Sequence, residues 1–332
     1  WQSANLAWAL CPLLTIGAIE AVIAHAKPEL SKAFLPKLVS GEWTGTMNLT
    51  EPQAGTDMSL LKTRATRDGE NYRIKGQKIY ITYGEQDLTE NIVHLVLARL
   101  PDAPIGVKGI SLFLVPKFLI NEDGSLGKRN DVFAVNIEHK LGIHASPTCV
   151  MAYGDNEGAI GYLVGKENDG LRCMFTMMNN ARLNVGLQGV AIGERAYQQA
   201  VEFAKSRIQS AAVSGSTKST TIINHPDVRR MLMMMRSQVE AMRAITYYTN
   251  SALDISRNHT EEKVRDINNA RMDLLTPVVK AWCTDLGVEI ASMGLQVHGG
   301  MGFIEETGAA QYFRDSRIAP IYEWYSGYRF IG

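Results

Sequence analysis

The chain has 332 residues, long for a single hydrophobic core, and is expected to fold as two or three packed units. Hydrophobic residues make up 45% and charged residues 20%, which is the balance of a globular protein and excludes a disordered or fibrous one. Lysine plus arginine equals aspartate plus glutamate at 34 each, so net charge gives no reason to propose a nucleic-acid surface, and any anion site must be local.

Residues 1 to 42 read as the end of a helical domain. The stretch Leu6 to Ala26 is apolar enough to raise the question of a membrane span. It carries Pro12, Gly17 and Glu20, and no basic segment precedes it, so a buried core helix is expected. The chain opens on Trp1 in what reads as mid-helix, as a fragment of a longer protein would. Pro28 sits where a first helical turn starts, and Leu30, Phe34 and Leu38 recur every fourth residue, with Pro36 interrupting the pattern.

From residue 43 to 165 the pattern changes to short strands with turn punctuation. Arg67-Asp68-Gly69-Glu70 between Leu61–Ala65 and Tyr72–Lys75 is a hairpin signal. Lys78–Thr82, Ile92–Arg99, Ile110–Val115, Val132–Ile137 and Cys149–Tyr153 continue the series. Strands at such intervals without helices between them predict an antiparallel β-barrel or sandwich and weigh against a dinucleotide-binding βαβ domain.

From residue 166 to 323 the chain reads as a helical bundle, which makes the whole an α+β protein. Val228, Leu232, Met235, Val239 and Met242 form the stripe of a bundle helix opened by Pro226. Methionines at 231, 233, 234 and 235 predict burial on more than one face. Ser210 to Thr221 reads as a Ser/Thr-rich loop between two helices. Its Gly-Ser-Thr-Lys-Ser-Thr is not a phosphate loop, because no strand feeds it and no glycine precedes Lys218.

Cys11, Cys149, Cys173 and Cys283 form no CxxC pair and predict reduced, mostly buried thiols, as in bacterial cytoplasm or, second, a mitochondrial matrix. His139 and His144 lack carboxylate or thiolate company, so no metal is expected there.

The chemistry concentrates in a few segments. Thr44 to Asp57 reads Thr-Gly-Thr-Met-Asn-Leu-Thr-Glu-Pro-Gln-Ala-Gly-Thr-Asp, a strand into a Glu-Pro turn and a small-residue loop that lets a ligand approach the backbone. It is followed by Gly76-Gln77-Lys78-Ile79-Tyr80-Ile81-Thr82, then Gln296-Val297-His298-Gly299-Gly300-Met301-Gly302-Phe303, Arg314-Asp315 and Ile321-Tyr322-Glu323. In this order and at these intervals the segments resemble the acyl-CoA dehydrogenase family over nearly the whole chain. The resemblance implies helices, a β-barrel and a helical bundle, with FAD bound between barrel and bundle.

By position in those motifs, Met47, Leu49, Thr50, Tyr80 and Thr82 look like the barrel residues that face the flavin ring. Amides and hydroxyls near Thr50 and Thr82 suit the polar edge of such a ring, and Tyr80 suits its face. Thr56 matches the hydroxyl residue that touches the thioester ligand. Arg207 and Gln209 match the motif by which one subunit reaches the FAD diphosphate of its neighbour, which implies a homo-oligomer, a dimer or tetramer. Gln296 and Gly300 match the segment lying along the same dinucleotide, although Gly299-Gly300 also reads as a helix C-cap. Asn179 and Arg182 match positions that bind CoA, with Asn179 standing where the family more usually has an acidic residue.

Glu323 matches the catalytic base. The implied reaction removes a proton alpha to a thioester carbonyl while hydride leaves the beta carbon for the flavin. It needs one carboxylate over the alpha carbon in a water-poor site. Electrons would then pass to an electron-transfer flavoprotein.

The segments Tyr83–Asp87 with Glu90–Arg99, His139–Thr148 and His298–Gly308 resemble the larger bacterial members. These act on varied acyl groups, with 3-(methylthio)propanoyl-CoA a candidate. An oxygen-using oxidase relative and an inactive flavin- or acyl-CoA-binding fragment are the alternatives. The tail from Trp324 to Gly332 is atypical, with Trp324-Tyr325 where the family has Gly-Thr. A set of codons read one base later restores Gly-Thr-Ala-Gly-Ile-Gly, so a reading-frame artefact or truncated gene end is expected there.

Overall fold

The computed structural model describes residues 1–322 except Ser214 and Ser216, so Glu323 and the atypical tail lie outside the described residues. The chain divides into two compact units. One comprises Ala7–Lys140 and His144–Ala181, the other Trp1–Leu6, Leu141–Ile143 and the chain from Arg182 onward.

The first unit opens with helices α1 (Leu6–His25) and α2 (Pro28–Ser40). α1 is long and apolar enough to cross a membrane, yet 67% of its apolar window is buried in the fold. Gly17 and Gly45 explain how it packs. A Cβ on Gly17 would lie 2.8 Å from Met177 Cγ, and one on Gly45 would lie 2.4 Å from Ala18 Cβ. α2 runs through Pro36 and ends at Gly41, whose φ of +81° suits a left-handed C-cap.

Ten strands follow: β1 (Trp43–Asn48), β2 (Arg64–Asp68), β3 (Asn71–Thr82), β4 (Asn91–Arg99), β5 (Ile110–Pro116), β6 (Phe118–Ile120), β7 (Leu126–Arg129), β8 (Val132–Ile137), β9 (Thr148–Tyr153) and β10 (Ala159–Val164). The main sheet has the order β1-β4-β5-β10-β3-β9-β8, and β2 pairs with both β3 and β4. β2 therefore closes β4, β5, β10 and β3 into a ring, the expected barrel, which leaves no free edges within the ring. Pairing is antiparallel apart from β1 and the short β2 contact, both parallel to β4. The interior is filled by Ile74, Val96, Phe113, Val115, Met151 and Tyr153.

The hairpin at Gly69 (φ +62°) is present, with Asp68 opposite Asn71. Its first strand begins at Arg64 rather than Leu61, because the amides of Lys62 and Thr63 are bonded to the Glu51 carboxylate. The β6–β7 hairpin was not foreseen from the pattern.

Helix α3 (Gly170–Ser206) carries the division between the units at Ala181–Arg182. The second unit then contains α4 (Pro226–Asn258), α5 (Glu262–His298) and α6 (Ala309–Ser316). Leu232, Met235, Val239 and Met242 are buried, as the stripe predicts. Met231 and Met235 are buried while Met233 and Met234 are 70% and 40% exposed, so the expectation of burial on several faces is corrected. Consecutive helical residues turn by about 100°, and one core face cannot hold all four. The expected Ser/Thr-rich loop is a small hairpin instead, β11 (Ile208–Ala211) with β12 (Ser219–Thr221), in which the β-branched Ile208 and Thr221 stand opposite each other, a pair that suits a strand ladder. All four cysteines are buried free thiols.

Candidate active site

All five flavin-facing candidates from the barrel lie on or directly after two strands, β1 and β3. β1 supplies Met47 and runs into Leu49 and Thr50, and β3 supplies Tyr80 and Thr82. The Ile79 amide donates to the Thr50 carbonyl at 2.9 Å, which joins the two groups. β3 is irregular at this point: its register against β9 shifts between Lys78 and Ile81. Tyr80 has φ +60° and a side chain 62% exposed. A left-handed tyrosine costs on the order of 1–3 kcal/mol and persists only where its surroundings dictate it. The bulge turns Tyr80 outward and exposes an aromatic surface bordered by Thr50 and Thr82, both half-buried. Thr56 is exposed in the loop after Glu51, where Asp57 accepts from the Ser59 amide at 2.9 Å.

Behind this surface lies an ion pair that sequence reasoning missed. Lys78 is fully buried and donates to Glu51 Oε1 and to the Leu49 carbonyl, each at 2.9 Å. Glu51, 3% exposed, also accepts from the Thr63 hydroxyl at 2.6 Å and from the amides of Thr63 and Lys62 at 3.0 and 2.7 Å. Gln53 Nε2 adds a fifth donor at 2.5 Å. Burial disfavours a lone carboxylate, but the Lys78 charge and these donors outweigh it and hold Glu51 below its ordinary range. Burial pulls the Lys78 ammonium down to about 8, against the opposing pull of Glu51. The available signal was a lysine within an alternating strand at a core-facing position.

In the helical unit, Arg207 and Gln209 are exposed on the β11 side, and Arg207 Nη2 donates to Gln209 Oε1 at 3.1 Å. Gln296 and Gly300 are exposed at the end of α5, with Gly299 at φ +60° turning the chain out of the helix. Phe203 stacks on His298 with ring centroids 4.5 Å apart. This contact brings together the helix ends that carry Arg207 and the Gln296–Gly300 segment. Asn179 is half-buried and Arg182 buried, three residues apart on α3.

The candidate base Glu323 lies outside the described residues, but the chain leading to it is anchored. Lys280, 2% exposed, donates to the Pro320 carbonyl at 2.9 Å, and the Tyr322 hydroxyl donates to Gln188 Oε1. Two motifs far apart in sequence also meet in this unit. The Ile143 amide donates to Asp315 at 2.6 Å, and a Cβ on Gly142 would lie 2.5 Å from the Arg314 carbonyl oxygen. Neither Gln188 nor Lys280 carries a local signal, since each is a polar residue inside a long helix.

Two sequence families match this chain. The acyl-CoA dehydrogenase middle domain covers residues 46–155, and the acyl-CoA dehydrogenase C-terminal domain covers residues 168–323. The chain is 54% identical over 97% of its length to 3-methylmercaptopropionyl-CoA dehydrogenase of Ruegeria pomeroyi, spanning 54% of that protein. It is 41% identical over 93% of its length to a butyryl-CoA dehydrogenase of Syntrophomonas wolfei, spanning 52% of it. The solved structure of Caenorhabditis elegans ACDH-11 in complex with C11-CoA shares the fold. Its TM-score is 0.81 at 24% identity, over 96% of this chain and 52% of that one. The chain belongs to the acyl-CoA dehydrogenase family and spans about half the length of the curated relatives it matches.

Proposed function

We propose that this chain is the FAD-binding part of an acyl-CoA dehydrogenase, with Glu323 as the base and 3-(methylthio)propanoyl-CoA as substrate. The observation that carries the reading is the bulged edge of β3, where a strained Tyr80 stands exposed beside Thr50 and Thr82. Family membership supplies the cofactor class, since acyl-CoA dehydrogenases are flavoproteins. The residues fit that group: an aromatic face, adjacent hydroxyls and backbone groups, and, in the helical unit, an exposed Arg207 suited to a diphosphate. Bound FAD would accept the hydride leaving the beta carbon.

The chain's own residues do the rest. Glu323 takes the alpha proton. Thr50, Tyr80 and Thr82 orient the flavin, Arg207 and Gln209 hold its diphosphate across a subunit interface of a homo-oligomer, and Gln296 and Gly300 lie along the dinucleotide. Thr56, Asn179 and Arg182 bind the thioester ligand. An electron-transfer flavoprotein is the proposed acceptor of the electrons. The identity to the Ruegeria pomeroyi protein supports the choice of acyl group.

Anaerobic addition of 3-(methylthio)propanoyl-CoA to the purified yellow protein is expected to bleach the flavin, and electron-transfer flavoprotein is expected to restore its colour. Glu323→Gln keeps the shape but removes the base. It is expected to bind flavin and ligand while bleaching slows on the order of a hundred- to ten-thousand-fold. Rapid bleaching in that variant assigns the base to another group. A colourless protein overturns the reading, and steady peroxide formation in air replaces it with the oxidase alternative.

A further inference from the structure

We infer that Glu51 and Lys78 are positioning residues whose buried ion pair sets the flavin-facing edge of the barrel from behind. The inference rests on the proposal that this edge binds FAD.

Lys78 bonds the Leu49 carbonyl and the Glu51 carboxylate, so one ammonium ties β3 to the residues on either side of Thr50. Lys78 is also the last residue of β3 in register with β9, opposite Met151, before the bulge that carries Tyr80. The bulge is thus held on its N-terminal side by Lys78 and, one residue further, by the Ile79 amide on Thr50. Glu51 in turn takes three bonds from Thr63 and Lys62 at the foot of β2, which anchors the Glu-Pro turn to the barrel wall.

Stability alone does not account for this arrangement. Buried ion pairs are often matched or bettered by apolar side chains of similar volume, because desolvation offsets much of their attraction. What an apolar pair lacks is direction: it could not fix the Leu49 carbonyl or counter the left-handed strain at Tyr80. Neither side chain is open to a ligand, since Lys78 and Glu51 are 0% and 3% exposed. They act through Leu49, Thr50 and Tyr80.

The test is the double variant Glu51→Gln/Lys78→Met, which removes both charges together and leaves no buried ion unpaired. It is expected to fold and to unfold near the parent temperature. Its flavin absorption bands should shift, and bleaching by 3-(methylthio)propanoyl-CoA should slow by about a hundredfold, the effect of a displacement near 1 Å. Thr63→Val removes only the 2.6 Å bond to Glu51 and is expected to give a smaller change in the same direction. Parent-like bands and bleaching in the double variant overturn the inference, as do parent-like values in Thr63→Val if the double variant does not fold. A parent protein that lacks flavin or does not bleach would instead remove the acyl-CoA dehydrogenase reading beneath it.

Discussion

His94 lies wholly inside the barrel, its Nδ1 2.7 Å from the Thr46 hydroxyl and its ring edge-on to Tyr153 at 6.1 Å. Thr46 also accepts from Asn48 at 2.9 Å, and Asn48 accepts from the Tyr153 hydroxyl at 2.7 Å, so four polar residues form one buried chain. Burial, helped by the Lys117 and Arg129 charges and opposed by Glu85, lowers the His94 pKa to about 3. The unfolded chain takes up this proton near pH 6.5 and the folded one only near 3. The folded state is therefore favoured above both values and loses stability as pH falls between them, by at most about 1.4 kcal/mol per pH unit. His94→Gln is expected to flatten this part of the profile. Urea midpoints of parent and variant from pH 7 to 4 check it, and parallel profiles would show that His94 does not titrate differently on folding. Nothing in the run from Ile92 to Arg99 marks His94 as buried and neutral, because burial on both strand faces depends on which strands flank β4.

At the scale of elements, α3 and α5 meet along small residues. A Cβ on Gly189 would lie 2.0 Å from the Cys283 carbonyl oxygen, and one on Gly186 would lie 2.5 Å from Val279 Cγ1. Gly287 faces Gly189 from α5. Helices this close leave no room for a methyl group, so Gly189→Ala must push them apart. The expected loss is about 1–3 kcal/mol, read as a lowered thermal midpoint with helical content retained. An unchanged midpoint would mean the helices separate more easily than the contacts imply. The stripe on α4 was legible because a 3.6-residue period reports one buried face whatever it packs against. The glycine seam was not, since glycine in a helix reads only as weak propensity until the partner helix is in place.

For the whole molecule, the proposed homo-oligomer links cofactor binding to assembly. Arg207→Ala removes a charge-assisted bond to a diphosphate and is expected to weaken FAD retention about ten- to hundredfold. If Arg207 acts in its neighbour's site, mixing this variant with Glu323→Gln subunits should yield hybrid oligomers that contain one site with both groups intact. Activity above that of either parent supports the trans arrangement, and activity no greater than the more active parent argues that Arg207 serves its own subunit.

The order of helices, barrel and bundle was legible from the sequence because hydrophobic period is a local property that changes from two to 3.6 along the chain. The motifs proposed to face the flavin and to carry the base stood out through the family that their order and intervals resemble. Only the tertiary structure decided that β2 closes the ring and that Lys78 is a buried ion rather than a solvated one. It alone paired Gly142 and Ile143 with Arg314 and Asp315. Each of these depends on residues distant in sequence coming within a few ångströms, where bond direction and exclusion of water determine what a side chain does.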